Sequence, residues 1–299
     1  YYLKGAYMKT LTRIICSTFL LFCVASANAM PIVIDLENCT TDSATLDSIT
    51  NLPVIVGPNP PNLLSTSYNA TSCIGVYDHG NDDAMGLSEP NPNIGQLNDG
   101  ILNGEGDLLN GLEFIDPSDL QDLDGDGIFT DPGWIHLAHY TPGGITYDTA
   151  GPSPLADIVL DIGDLLILSF TCDNSDCTEL DWVLETKLDI IDQVQSLLGE
   201  ATFDHLAFSI KASNGFAVYD FNFVDIFAAE ANPLLNFNTP YILSGTLNTG
   251  DFMNAQGGFQ QISHMNIWAR DPSDTTEVPE PSTLGILGLG VLIMAIKRR

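Results

Sequence analysis

Positive charge is what this sequence has least of. Nine lysines and arginines face 39 aspartates and glutamates over 299 residues. Six of the nine cations lie at the two ends: Lys4, Lys9 and Arg13 near the start, and Lys297, Arg298 and Arg299 at the finish. Residues 30–276 keep only Lys187, Lys211 and Arg270. All the carboxylates except Glu277 and Glu280 lie there, so 37 acids against three cations leave a net charge of −34. Such a field repels phosphate backbones and anionic headgroups, which argues against nucleic acid and against direct lipid binding by this stretch. It favours divalent cations, and it is also an ordinary way to stay soluble.

Catalytic signatures are missing as well. There is no G-x-S-x-G elbow, phosphate loop or dinucleotide fingerprint. Acidic pairs are so frequent that no single pair points to a glycosidase. Histidines number five, and His136 and His139 invite a metal reading. Residues 134–139 read as a strand, however, where an odd separation puts the two imidazoles on opposite faces. No glutamate sits between them as a zinc protease requires. Trp134, Trp182 and Trp268 each lie in a strand-like run and read as core before sugar platform. No fixed-period repeat is visible. The chain is read as a non-enzyme.

Long apolar runs occur only at the ends. Met8 reads as an initiator, followed by a basic segment with Lys9 and Arg13, an apolar stretch at 14–25, and Ala27-Asn28-Ala29 as a small-x-small cleavage site. Residues 8–29 are thus expected to be a signal peptide removed by signal peptidase, taking Cys16 and Cys23 with them. At the other end Pro279, Glu280 and Pro281 precede an apolar run at 284–296 and the closing Lys297, Arg298 and Arg299. The prolines hold the chain extended before that run. Thirteen residues rise only about 20 Å as a helix, short of a hydrocarbon core of roughly 30 Å. Ser282 and Thr283 extend it and the basic end snorkels. Three cations after the run place that end in the cytoplasm.

The order of signature, apolar segment and basic end in residues 277–299 resembles the PEP-CTERM sorting tail of exported bacterial proteins. The resemblance implies processing by an exosortase-type membrane enzyme at Pro279, Glu280 and Pro281. It implies an inner-membrane intermediate held by a transmembrane helix, then a final place at the cell surface or outside the cell.

Residues 30–276 remain as the exported body. Its four cysteines, Cys39, Cys73, Cys172 and Cys177, are an even number in an oxidising compartment and read as two disulfides, with three possible pairings. Cys39–Cys73 with Cys172–Cys177 is favoured, because the C-D-N-S-D-C segment closes a small loop between strand-like runs. A C-x4-C metal clip is the alternative, but no second cysteine or histidine pair lies near it.

Short apolar runs alternate with turn residues through most of the body. Residues 32–34, 52–56, 73–77, 158–170 (split by Asp161-Ile162-Gly163-Asp164) and 260–269 read as strands. Residues 203–211 and 216–223 read as a hairpin about Ser213-Asn214-Gly215. In its second arm Phe216, Val218, Asp220 and Asn222 share one face, and Ala217, Tyr219, Phe221 and Phe223 the other. One helix is expected, capped by Asp189, with Ile190, Ile191, Val194, Leu197 and Leu198 on a stripe and Gly199 as its stop. The Gly-, Asn- and Asp-rich stretch 78–131 suggests ordered loops. The expected fold is mainly β: an antiparallel β-sandwich with one short helix and that loop insertion. Residues 203–208, 216–221, 262–264 and 268–270 also look like the globular region of some PEP-CTERM proteins, a resemblance that bears on location and architecture only.

The sharpest internal motif is Asp122-Leu123-Asp124-Gly125-Asp126-Gly127-Ile128. Carboxylates at positions one, three and five converge on a cation, Gly127 allows the tight turn, and Ile128 offers a carbonyl. This resembles the first half of an EF-hand loop, but position twelve is Gly133 where a bidentate Glu belongs. Asp131, or a carboxylate from elsewhere such as Asp119, must complete the shell. Calcium is the expected ion. The alternative is an Asp-Gly turn without metal. The chain is therefore expected to be an exported surface or extracellular-matrix protein with a calcium-stabilised loop and extracellular polysaccharide as a candidate partner. A carbohydrate-binding module is the alternative, and a secreted hydrolase stands behind it.

Overall fold

The computed structural model describes residues 39–78, 90–107, 109, 111–152, 157–198, 203–213, 215–254 and 256–270. The signal peptide expected at 8–29, the strand at 32–34, Gly199 and the tail at 277–299 lie outside the described residues. In chain order the strands are β1 (Thr45–Leu46), β2 (Ser48–Asn51), β3 (Tyr68–Asn69), β4 (Ser72–Asp78), β5 (Trp134–Thr141), β6 (Gly144–Tyr147) and β7 (Thr149–Ala150). They continue with β8 (Leu160–Asp161), β9 (Leu166–Cys172), β10 (Glu179–Thr186), β11 (His205–Ala212), β12 (Gly215–Asn222), β13 (Tyr241–Asn248) and β14 (Ile262–Arg270). Three helical segments accompany them: α1 (Pro53–Val56), α2 (Ile190–Leu198) and α3 (Phe223–Glu230).

A six-stranded sheet runs in the order β4-β12-β11-β14-β5-β6, and a four-stranded sheet in the order β2-β13-β10-β9. Every pairing is antiparallel. The fold is mainly β, and its burial pattern follows from the pleat. On β10, Leu180, Trp182 and Leu184 are buried while Glu179, Asp181 and Glu185 are exposed, so the four-stranded sheet has one wet face. On β11 every residue is buried. At its centre the six-stranded sheet is covered on both sides.

The inner cover is the other sheet. The Trp182 ring lies 5.0 Å from Phe208 and 6.1 Å from Phe221, and Tyr140 lies 4.6 Å from Phe170. Trp182 also donates from Nε1 to the Thr45 carbonyl at 3.1 Å, so its polar atom is satisfied inside the core. Each such large apolar side chain contributes roughly 1.5–3 kcal/mol by burial. The outer cover is the insertion between β4 and β5, where Ile101, Leu102, Leu109 and Ile115 pack on Trp134, Phe216, Val218 and Trp268. Among its described residues the insertion has no strand, only short 3-10 turns, as its Gly-, Asn- and Asp-rich composition suggests.

The hairpin of β11 and β12 has the expected two faces. Phe216 and Val218 join the outer cluster, and Ala217, Tyr219 and Phe221 the inner core. Helix α2 forms where expected and buries Ile190, Val194 and Leu197 of its stripe. Two expectations need correction. Residues 53–56 form a helical turn in place of a strand: Pro53 sits at its first position with φ preset, and Gly57 ends it at φ 106°. The single expected helix is joined by α3, because Asn222 accepts from the N–H groups of Val224 and Asp225 and caps it where strand alternation stops.

Candidate functional site

The loop between Gln121 and Asp131 is closed at its stem by backbone bonds. Gln121 N donates to the Asp131 carbonyl, and Thr130 and Asp131 donate to the Gln121 carbonyl, each at 2.9 Å. Within the loop Gly125 and Gly127 take φ of 75° and 84°, a left-handed conformation that costs glycine little. That path lets the aspartates turn back on their own backbone: Gly127 N donates to Asp122 Oδ2 at 3.0 Å, Asp126 N to Asp124 Oδ1 at 3.0 Å, and Ile128 N to Asp126 Oδ1 at 2.7 Å. One carboxylate oxygen from each of Asp122, Asp124 and Asp126 lies within 4.8 Å of the others. Asp122 Oδ1 is buried with no hydrogen-bond partner.

Three carboxylates at this spacing repel one another when ionised, by about 1 kcal/mol per pair at 4 Å even in water. The donor set is all oxygen and suits a hard cation. It supplies fewer than the six to eight oxygens that calcium takes, so backbone carbonyls or water must complete the shell. Asp131 has a different place. It is 2% exposed, its Oδ1 accepts from Leu97 N at 2.8 Å, and its Oδ2 from Leu123 N at 2.6 Å and Asp124 N at 3.3 Å. It shapes the loop from behind. Ile128 stands at the tip, 58% exposed beside Phe129 at 66%.

Both stems of the loop are fastened to β14 by Arg270. The guanidinium donates to the Pro132 carbonyl at 3.0 Å, to the Asp119 carbonyl at 2.8 Å and to Asp204 Oδ2 at 3.2 Å. Asp119 thus meets Arg270 through its backbone. Beneath lies a buried charged set that sequence reasoning missed. His205 Nδ1 is 3.0 Å from both oxygens of Asp220, and its Nε2 is 3.9 Å from Asp204 Oδ2. Burial pushes the Asp204 and Asp220 carboxyls up, against the pull of His205 on both and of Arg270 on Asp204. Burial lowers His205, but its bond to Asp220 and the charges of Asp220 and Asp204 outweigh that and raise it.

The cysteines pair as the spacing suggests: Cys39 with Cys73 and Cys172 with Cys177. The histidines do not behave as strand parity suggests. In the ladder of β14 and β5, Ile267 faces Ala138 and Trp268 faces His136, so Leu137 is an extra residue in β5. Leu137 and Ala138, though consecutive, both join the inner core. The bulge shifts the parity beyond it. His136 Nε2 and His139 Nδ1 therefore reach the same Asn266 Oδ1, at 3.2 and 2.9 Å. An odd separation has put two imidazoles on one face. Trp134, Trp182 and Trp268 are 1% exposed or less and are core residues.

Among the described residues no helix is long and apolar enough to cross a membrane. Pro279, Glu280 and Pro281 lie outside the described residues. Their evidence comes from comparison: residues 277–299 match the PEP-CTERM protein-sorting motif. The chain carries that motif at its C-terminal end, which marks an exported protein sorted by an exosortase-type enzyme. No curated protein and no solved structure matches the chain.

Proposed function

We propose that this is a non-catalytic protein of the cell surface or extracellular matrix, delivered through its PEP-CTERM tail and stabilised by calcium at the Asp122 loop. The match at residues 277–299 supports the export and sorting part of this reading. Signal peptidase removes residues 8–29, the apolar run at 284–296 holds the chain in the inner membrane, and an exosortase-type enzyme acts at Pro279, Glu280 and Pro281. Replacing those three residues with alanine keeps the apolar run and removes the signature. The variant is expected to stay unprocessed in the inner-membrane fraction. Its normal release would overturn the reading.

Calcium is supported by the orphaned Asp122 Oδ1 and the convergence of Asp122, Asp124 and Asp126. A bound cation supplies the positive charge that offsets their repulsion. Asp131 and the Arg270 clamp hold the backbone that presents them, and Ile128 offers its carbonyl. The alternative of a carbohydrate module on a flat tryptophan platform finds no support in the buried tryptophans.

A further inference from the structure

A second site lies on the outer face of the six-stranded sheet, away from the Asp122 loop. It is a cleft of about 680 Å³ at β5, β6 and β7, within the range of about 300–1,000 Å³ usual for small-molecule sites. Its walls include Asn91, His139, Thr146, Tyr147, Asp148 and Thr149. We propose that this cleft binds an uncharged saccharide.

The wall is held from behind by a buried polar network. Asn93, 2% exposed, accepts from His136 N at 2.8 Å and donates to the carbonyls of His136 at 2.7 Å and Thr149 at 3.1 Å. His136, 3% exposed, sets Nδ1 against Asp148 Oδ2 at 3.1 Å and Nε2 against Asn266. Asn266, fully buried, also holds His139. Buried polar groups contribute little net stability compared with well-packed apolar ones, and the same sheet face is apolar at its Trp134 and Trp268 end. What the network does provide is orientation. It fixes Asp148, His139 and the Thr149 backbone at the cleft wall with no rotamer freedom left to lose on binding.

Tyr147 anchors the strand behind this wall from the inner face, where it packs on the core. Its hydroxyl accepts from Leu168 N at 2.8 Å and lies 3.4 Å from the Leu168 carbonyl. Gly163 packs so close to the ring that a Cβ there would lie 3.1 Å from it. With the edge strand so anchored, Thr146 and His139 on the outer face present hydroxyl and imidazole groups beside Asp148 and Asn91, a polar rim that matches the hydroxyls of a saccharide.

Charge decides against other ligands. No lysine or arginine lines the cleft, and residues 30–276 carry a net charge of −34, so phosphates and carboxylates have no counter-charge here. A bare cation is poorly served too. Both oxygens of Asp148 are already bonded, Oδ1 from Thr149 N at 2.7 Å and Oδ2 to His136. Each keeps a second lone pair, enough for a sugar hydroxyl. Sugar binding at this cleft depends neither on the sorting tail nor on calcium.

The test is to screen the full-length protein against neutral, cationic and anionic glycans, then titrate the best ligand into variants by calorimetry. A neutral oligosaccharide is expected to bind. Asp148→Asn and Thr146→Val should weaken it roughly tenfold or more, about 1.4 kcal/mol. Asp148→Asn also alters the bond to His136 behind the wall and can loosen the sheet. Asn91→Ala, at an exposed rim position, leaves the fold intact and should weaken binding roughly threefold to tenfold. Absence of any neutral ligand for the parent protein overturns the proposal. So does a charged glycan as the preferred ligand, or a neutral one whose affinity Asp148→Asn and Asn91→Ala leave unchanged.

Discussion

Gly245 holds a position on β13 that no larger residue can take. A Cβ there would stand 1.8 Å from the Thr45 carbonyl oxygen and 2.9 Å from Trp182 Nε1, the two atoms that bond to each other across it. Gly245→Ala must push β1 away from Trp182 or break that bond, and neither neighbour is the free end of a flexible chain. The expected loss is about 3 kcal/mol in a denaturant melt, at the upper end of overpacking costs. Asp99 acts through protons instead. Burial pushes its carboxyl up to about 6, the charges of Glu105 and Asp148 add to this, and the Asn91 N–H opposes it. The folded chain takes up this proton as pH falls through about 6, and the unfolded chain only near its ordinary value of 3.8. Stability from Asp99 is therefore greatest below the unfolded value and is lost as pH rises through the folded one. Asp204 and Asp220 are raised as well, so the informative quantity is the difference from Asp99→Asn. That variant is expected to gain melting temperature at pH 7 and to lose part of the parent's gain between pH 7 and pH 5. An unchanged pH slope would show that Asp99 does not titrate in this window.

Among the elements, the two disulfides constrain loops of very different length. Cys39 and Cys73 are 34 residues apart, and Cys172 and Cys177 only five. Loop-closure entropy puts the first near 4 kcal/mol and the second near 2 kcal/mol, about a twofold ratio. Serine pairs at each bridge, melted in urea without reductant, should show the Cys39–Cys73 variant as the weaker protein. The reverse order would mean that the short bridge holds native structure at Ile262, whose N–H donates to the Cys177 carbonyl. The Cys172–Cys177 bridge was legible because it closes a short loop between strand-like runs, and Cys39–Cys73 followed as the pair left over. The β11–β12 hairpin was legible too, since two strand-like runs flank the turn residues Ser213, Asn214 and Gly215 in the sequence. The bulge at Leu137 was not. Nothing in Ile135-His136-Leu137-Ala138-His139 departs from strand propensity, and the extra residue exists only relative to its partner β14. The polar cleft was hidden with it, because its wall needs His136 and His139 on one side. Helix α3 was hidden by Asn222, which ends one element and caps the next. The Arg270 clamp joins residues 66 to 151 positions apart in sequence, a separation that local pattern does not reach.

For the molecule as a whole the governing quantity is its charge. With a net −34 on residues 30–276, any salt should stabilise the fold by screening, over a Debye length of about 10 Å at 0.1 M. Divalent ions should do so more strongly than monovalent ones, wherever they bind. A calcium effect is therefore specific only if it exceeds that background. Asp122, Asp124 and Asp126 meet within 4.8 Å in a loop whose stems are tied to Arg270, so a cation there adds to a frame that is already built. Binding to the folded form alone stabilises it by about 2.7 kcal/mol at a hundredfold excess over the dissociation constant. Magnesium should give less, because it requires a tighter octahedron and keeps its water. Melting the exported protein in sodium, magnesium and calcium chlorides at matched ionic strength separates the two contributions. The parent should show a further rise with calcium over magnesium. Asp124→Ala combined with Asp126→Ala should remove that increment and keep the rise common to all three salts, since it changes the net charge by only two. A double variant that keeps the full calcium increment would make this loop a turn held by its own carboxylates.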